Sequence, residues 1–175
     1  MKSVLITIRP QWVEKIASGE KTIEVRKTAP QEVPFKCYIY ETKGQYVKFT
    51  HGAHTKYGYG CGKVIGWFIC DKVDEYHYDY CDGVDIDDDT ILETAIDRED
   101  INIYAKGKTL YGWHISDLKI YDNPKECSEF RKPCDRFLDC CTCRRLVRNE
   151  YMSCDNKITR PPLSWCYVED LGEEE

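Results

Sequence analysis

Gly19-Glu20-Lys21-Thr22-Ile23-Glu24-Val25-Arg26-Lys27 is the stretch whose reading decides the fold. It follows Pro10-Gln11-Trp12-Val13-Glu14-Lys15-Ile16-Ala17-Ser18, which reads as a short amphipathic helix. Pro10 suits the first helical position, and Gly19 can close the helix in a left-handed conformation. Lys21 then falls at a helix-to-strand corner. Glu24 and Arg26 share one face of the strand behind it, since strand side chains alternate with period two. An amine, a carboxylate and a guanidinium are gathered at one end of a sheet. The same spacing also describes a solvated row of ion pairs, each contributing only about 0 to 1 kcal/mol. On either reading the charges are expected to weigh little in stability.

Outward from this stretch, residues 4–8, 22–27, 37–40, 63–73, 110–121 and 164–168 alternate or run apolar as strands do. Two helices are expected, 10–18 and one within 89–106, where Asp and Thr residues can cap the start and Gly107 can end it. Many strands with few helices predict an α+β chain: a small open β-barrel of mixed topology with helices packed on its ends. Residues 50–66 are glycine-rich, but Gly60-x-Gly62-x-x-x-Gly66 has the wrong spacing for a dinucleotide fingerprint and leads into a strand. We read the segment as a hairpin loop. His51, His54, Tyr57 and Tyr59 would let it stack on bases as a lid, or it is plain surface.

The 175 residues suit one domain, 1–175. No apolar run approaches the roughly 18 residues of a membrane span, and the N-terminus runs into strand and helix instead of a signal peptide. A protein of the cytoplasm, in a bacterium or a phage-infected host cell, is expected, with no membrane partner. The net charge of -6 is unevenly spread. Residues 1–72 carry twelve Lys/Arg against six Asp/Glu, and residues 73–105 one against twelve. A basic half can form an anion-binding face while the acid is exported to segment 79–100, read as a solvated loop and helix start.

Eleven cysteines without a secretory signal argue for metal ligands and buried thiols over a disulfide framework. Six fall in a Cys-rich insert at about 127–157. Cys134, Cys140, Cys143 and Cys154 offer four thiolates with one close pair, as a tetrahedral structural zinc requires; Cys127 and Cys141 are rival ligands. Zinc would replace a hydrophobic core for this insert. Disulfides, redox-active thiols and free thiols are the alternatives.

Gly19, Lys21, Glu24 and Arg26, placed after a strand and a helix that ends in Gly, fill the Gly-x-Lys-x-x-Glu-x-Arg signature that this chain shares with the ASCH family, a branch of the PUA-like fold. The resemblance continues through Val64-Ile65-Gly66, residues 107–121 and 158–168, leaving out the acidic segment and the cysteine insert. It looks particularly like ASCH proteins of phages and prophages of Gram-positive bacteria. The resemblance implies a PUA-like open barrel with a cleft at its mouth and a role with RNA, nucleotides or modified nucleosides. ASCH relatives include an amidohydrolase that removes acetyl from acetylcytidine with a lysine matching Lys21; a threonine stands there in place of Glu24. Others are thought to be RNA-binding modules or ribonucleases.

Two site chemistries follow. As a binding module, Lys21, Arg26 and Lys27 would hold phosphate or a base carbonyl, Glu24 would accept from an amine or hydroxyl, and Tyr40 would stack a base. Arg9 and Arg160, both at element ends, would form the rim. Trp12 and Trp165 read as core rather than stacking platforms. As a hydrolase, the site needs no catalytic metal: Lys21 would be general base and Glu24 its partner, although a carboxylate raises a lysine pKa and opposes that role. Binding is the preferred reading, with hydrolysis the alternative. A third is a phage protein that binds a host protein through its acidic segment. Oligomeric state is not encoded in these features.

Overall fold

The computed structural model describes residues 1–51, 54–133 and 156–172, with only the backbone described at residues 49–51 and 54. The chain runs β1 (Lys2–Ile8), α1 (Pro10–Ala17), β2 (Ile23–Arg26), β3 (Phe35–Glu41), β4 (Gly44–His51) and β5 (His54–Gly60). It continues with β6 (Val64–Cys70), β7 (Val73–Tyr76), β8 (Tyr78–Asp79), β9 (Gly83–Val84), α2 (Asp88–Thr94) and α3 (Arg98–Ala105). β10 (Leu110–His114), β11 (Ser116–Lys125) and β12 (Trp165–Val168) complete it. The fold is α+β and mostly sheet. Among the described residues no helix is long and apolar enough to cross a membrane.

Two sheets carry the architecture: five strands in the order β11-β6-β3-β1-β12 and three in the order β2-β10-β7. The expected single strands 63–73 and 110–121 are each broken, into β6 and β7 and into β10 and β11. Both breaks lie at the same corner, where an antiparallel pair passes from one sheet to the other. Asp117 has φ 47 and the β11–β6 register shifts between Ser116 and Lys119, which is how a bulge bends a pair. The sheets face each other without forming a closed barrel. Val4, Ile6, Ile8, Cys37, Ile39 and Trp113 fill the space between them, closed at one end by Val13 and Ile16 of α1. A second core, with Leu5, Tyr38, Tyr40 and Phe130, lies on the other face of the five-stranded sheet.

Gly66 marks a tight contact between β6 and β11. A Cβ there would stand 2.2 Å from the Lys119 backbone carbonyl oxygen and 3.0 Å from the Ile120 Cα. Backbone within a sheet cannot yield as a side chain does. Gly66→Ala is therefore expected to lower stability by about 1 to 3 kcal/mol, read as a shifted urea midpoint; an unchanged midpoint would show that β11 moves freely.

The acidic segment is more ordered than the expected loop. It folds as β8, β9, α2 and the start of α3, and buries Val84 and Ile86, together with Ile101 and Ala105 from the rest of α3, against the outer face of the three-stranded sheet. Its helix is two helices. α2 is opened by Asp87, whose carboxylate accepts from Thr90 N, and it ends at Ala95 in a left-handed turn. The acidic side chains remain mostly on the solvent side. The residues read as a hairpin loop, 50–66, hold the end of β4, all of β5 and the start of β6, and the β4–β5 ribbon, which begins before them at Gly44, is laid along α1.

Candidate functional site

α1 ends where the sequence places its end: Gly19 has φ 77 and its N–H reaches Ile16 O at 3.0 Å. β2 then begins inside the molecule. Lys21, Glu24 and Arg26 retain only 1 %, 6 % and 8 % of their exposure. A solvated row of ion pairs is thereby overturned, because the five-stranded sheet and α2 cover what the strand alone would leave open.

Lys21 Nζ donates to Ile23 O and Thr94 O, both at 2.7 Å, and lies 3.3 Å from Glu24 Oε2. The Trp12 ring centroid stands 5.6 Å from it, so Trp12 packs on the core and also faces the cation. Thr94 is the last residue of α2, and the ammonium caps the negative end of that helix. The other oxygen of Glu24 accepts from Arg26 Nη2 at 2.9 Å, and Arg26 Nη2 also donates to Thr7 O of β1 at 2.7 Å. The cluster ties both sheets and α2 together.

Burial pushes the Lys21 amine below the usual lysine range, and Glu24 works in the opposite direction. The geometry is that of an ammonium. Its three N–H groups have three acceptors, whereas a neutral amine, with two, would leave one unmatched. This favours a held charge over a general base. Cys37, packed between the sheets near Arg26, is no nucleophile either: burial and the neighbouring Cys70 raise its thiol well above the ordinary range.

Two cations face one carboxylate, and the cluster is left with unused donors. Arg26 Nε and Trp113 Nε1 are both buried and have no hydrogen-bond partner among the described residues. In the β10–β2 register Trp113 stands opposite Glu24 and Tyr111 opposite Arg26. Beyond Arg26 opens a concavity of about 380 Å³ lined by Lys27, Thr28, Ala29, Pro30, Val73, Glu75 and Tyr111. Lys27 is half-buried with Nζ 4.9 Å from the Tyr104 ring centroid. A larger concavity of about 610 Å³, at the Trp165–Tyr167 edge, shares Ala29; neither concavity is lined by Lys21, Glu24 or Arg26 themselves, and the smaller one reaches the cluster through Tyr111, which stands opposite Arg26.

Of the other expected site residues, Arg9 and Arg160 are exposed near the end of β1, whose Thr7 hydroxyl donates to Pro162 O. Tyr40 is not brought to the cluster. Its ring packs in the second core because period-two alternation sends it to the far face of β3. Trp165 lies against the first core, with Nε1 donating to Thr28 Oγ1. Cys134, Cys140, Cys143 and Cys154, with Cys141, lie outside the described residues. Cys127 is half-buried and its thiol is pushed up to about 11 by burial. Among the described residues no group of His, Cys, Asp or Glu is placed to hold a metal ion.

Sequence reading passed over Thr94, Tyr111 and Trp113. Tyr111 and Trp113 left a trace, as large aromatics within the expected strand 110–121; no local signal links any of the three to Lys21 or Arg26.

No family model and no curated protein matches the chain. Solved structures do. The crystal structure of ASCH from Zymomonas mobilis superposes with a TM-score of 0.56 at 17% identity, covering 96% of this chain and 88% of that one. A tyrosine-to-phenylalanine mutant of that protein gives 0.54 at 16%, covering 97% and 91%, and a serine-to-alanine mutant 0.54 at 17%, covering 96% and 89%. The chain thus has the fold of an ASCH protein, as the Gly-x-Lys-x-x-Glu-x-Arg resemblance implies.

Proposed function

We propose that this chain is an ASCH-type module that binds RNA, a nucleotide or a modified nucleoside at the Arg26 end of the space between the sheets. The observation that carries this reading is the uncompensated charge of the buried Lys21–Glu24–Arg26 cluster beside the 380 Å³ concavity. Burying an ion costs several kcal/mol unless it is paired, and two cations share one carboxylate here. The spare Nε–H of Arg26 asks for an acceptor. A phosphate or a base carbonyl supplies one, Lys27 adds a second cation at the rim, and Tyr111 offers a ring to a base. The ASCH fold is the second support.

Lys21 and Glu24 serve as the frame. Their polar atoms are spent on one another, on Arg26 and on two backbone carbonyls, so they hold Arg26 in place rather than meet the ligand. A screen of nucleoside monophosphates, modified nucleosides and short RNAs, read for both binding and product formation, tests the reading. Tyr111→Ala is expected to weaken binding about tenfold, the worth of one stacked base, and to lower the melting temperature as well, since the ring also packs on the first core; binding is therefore compared on the folded variant. Undiminished affinity in that variant would place the ligand elsewhere, and release of acetate from acetylcytidine by wild type would favour the hydrolase.

A further inference from the structure

The β4–β5 ribbon pairs with no other strand among the described residues. Its register sets Gln45 opposite Tyr59 and Val47 opposite Tyr57, so these four side chains share a face. The other face is occupied. Tyr46 lies over Gly58, where a Cβ would come 2.4 Å from the ring, and Lys48 pairs with Glu14 of α1 at 2.6 Å. The first face is open: Val47, Tyr57 and Tyr59 keep 55 %, 50 % and 71 % of their exposure.

Two further features say what covers it. From Thr42 to Lys63 the chain carries four lysines and two histidines and no Asp or Glu; Lys48 pairs with Glu14 and Lys63 with Glu126, and no carboxylate of the ribbon itself opposes a polyanion as partner. Lys43, at the root of the ribbon, is exposed and makes no ion pair among the described residues. Tyr57 and Tyr59 stand two residues apart on one strand face, about 7 Å, which lets an extended strand lay one base on each ring. A duplex keeps its bases stacked inside and has nothing to offer them.

We infer that the open face of the β4–β5 ribbon docks single-stranded RNA. Successive bases stack on Tyr57 and Tyr59, and Lys43 meets the phosphates beside them. The choice of RNA rests on the function proposed above; the stacking surface itself does not.

The test uses the full chain, a fluorescent oligouridylate and a nucleoside monophosphate panel. Tyr57→Ala/Tyr59→Ala is expected to weaken oligouridylate binding by at least tenfold, and to leave the melting temperature and monophosphate binding unchanged. Lys43→Glu, on an exposed residue that cannot unfold the chain, is expected to weaken oligouridylate binding and flatten its salt dependence. Oligouridylate affinity unchanged in both variants overturns the inference, as does wild-type protein that binds no oligouridylate. Monophosphates bound by wild type with the ribbon variants inert would sink the ribbon and spare the Arg26 site. Oligouridylate binding lost in the variants while no monophosphate binds would do the reverse. A wild-type dimer that Tyr57→Ala/Tyr59→Ala dissociates, without effect on RNA, would assign the face to a second copy and likewise overturn the inference.

Discussion

Glu24→Thr is expected to destabilise the protein by about 3 to 5 kcal/mol, the cost of breaking a buried ion pair from one side. The substitution leaves Lys21 and Arg26 as two buried cations without their shared carboxylate. Glu24 is also the influence that holds the Lys21 pKa up against burial, so its loss lets that pKa fall further. Urea unfolding followed by fluorescence measures the loss. A change below about 1 kcal/mol would equate these pairs with exposed ones and contradict the burial argument. Threonine is the residue of the acetylcytidine amidohydrolase that the chain resembles, so acetyl release is worth measuring on the same variant. None is expected, because the Ile23 and Thr94 carbonyls still engage the Lys21 amine. Acetyl release by the variant alone would show that the carboxylate is what keeps Lys21 from acting as a base.

Lys21→Met carries a cost of the same order, about 3 to 5 kcal/mol, for a different reason. Methionine fills the volume but leaves Ile23 O and Thr94 O without their donor and Glu24 with only Arg26. The damage should be directional. α2 loses the ammonium at its C-terminus, so hydrogen exchange is expected to speed up in residues 88–94 before it does in the five-stranded sheet. Pairing the substitution with Glu24→Leu should cost less than the two singles added, since the double variant strands only Arg26 where Glu24→Leu alone strands two buried cations. Strict additivity, or a melting temperature unmoved by Lys21→Met, would return Lys21 to the solvated role that its sequence context allows. The charged groups of this motif are thus expected to hold the fold together, against the reading that they weigh little in stability.

Much of the fold was legible because it is local. Pro10 and Gly19 bracket α1 by what their own backbones permit, and residues 23–26 alternate as a strand must, which puts Glu24 and Arg26 on one face. Even the corner at Lys21 follows from the glycine two residues before it. What failed to read locally shares a feature: it depends on a partner distant in sequence. The single strands 63–73 and 110–121 looked continuous because each remains extended on both sides of its bend, and only the other strand of the pair reveals the corner. Segment 79–100 looked like solvated loop because its few apolar residues are outnumbered by acids, yet Val84 and Ile86, with Ile101 just beyond it, suffice once Val25 and Leu110 present a face to cover.

The sequence by itself determined that an amine, a carboxylate and a guanidinium stand together after a helix ending in glycine, since helix termination and side-chain alternation are settled within a few residues of one chain segment. Only the tertiary structure decided that they are buried. The Thr94 carbonyl arrives from 73 residues away, Trp113 is laid opposite Glu24 by strand pairing, and Thr7 reaches Arg26 across the gap between the sheets. Charges that solvent would hold nearly free of cost become a frame when water is excluded on every side, and water is excluded by residues that no local pattern around Lys21 contains.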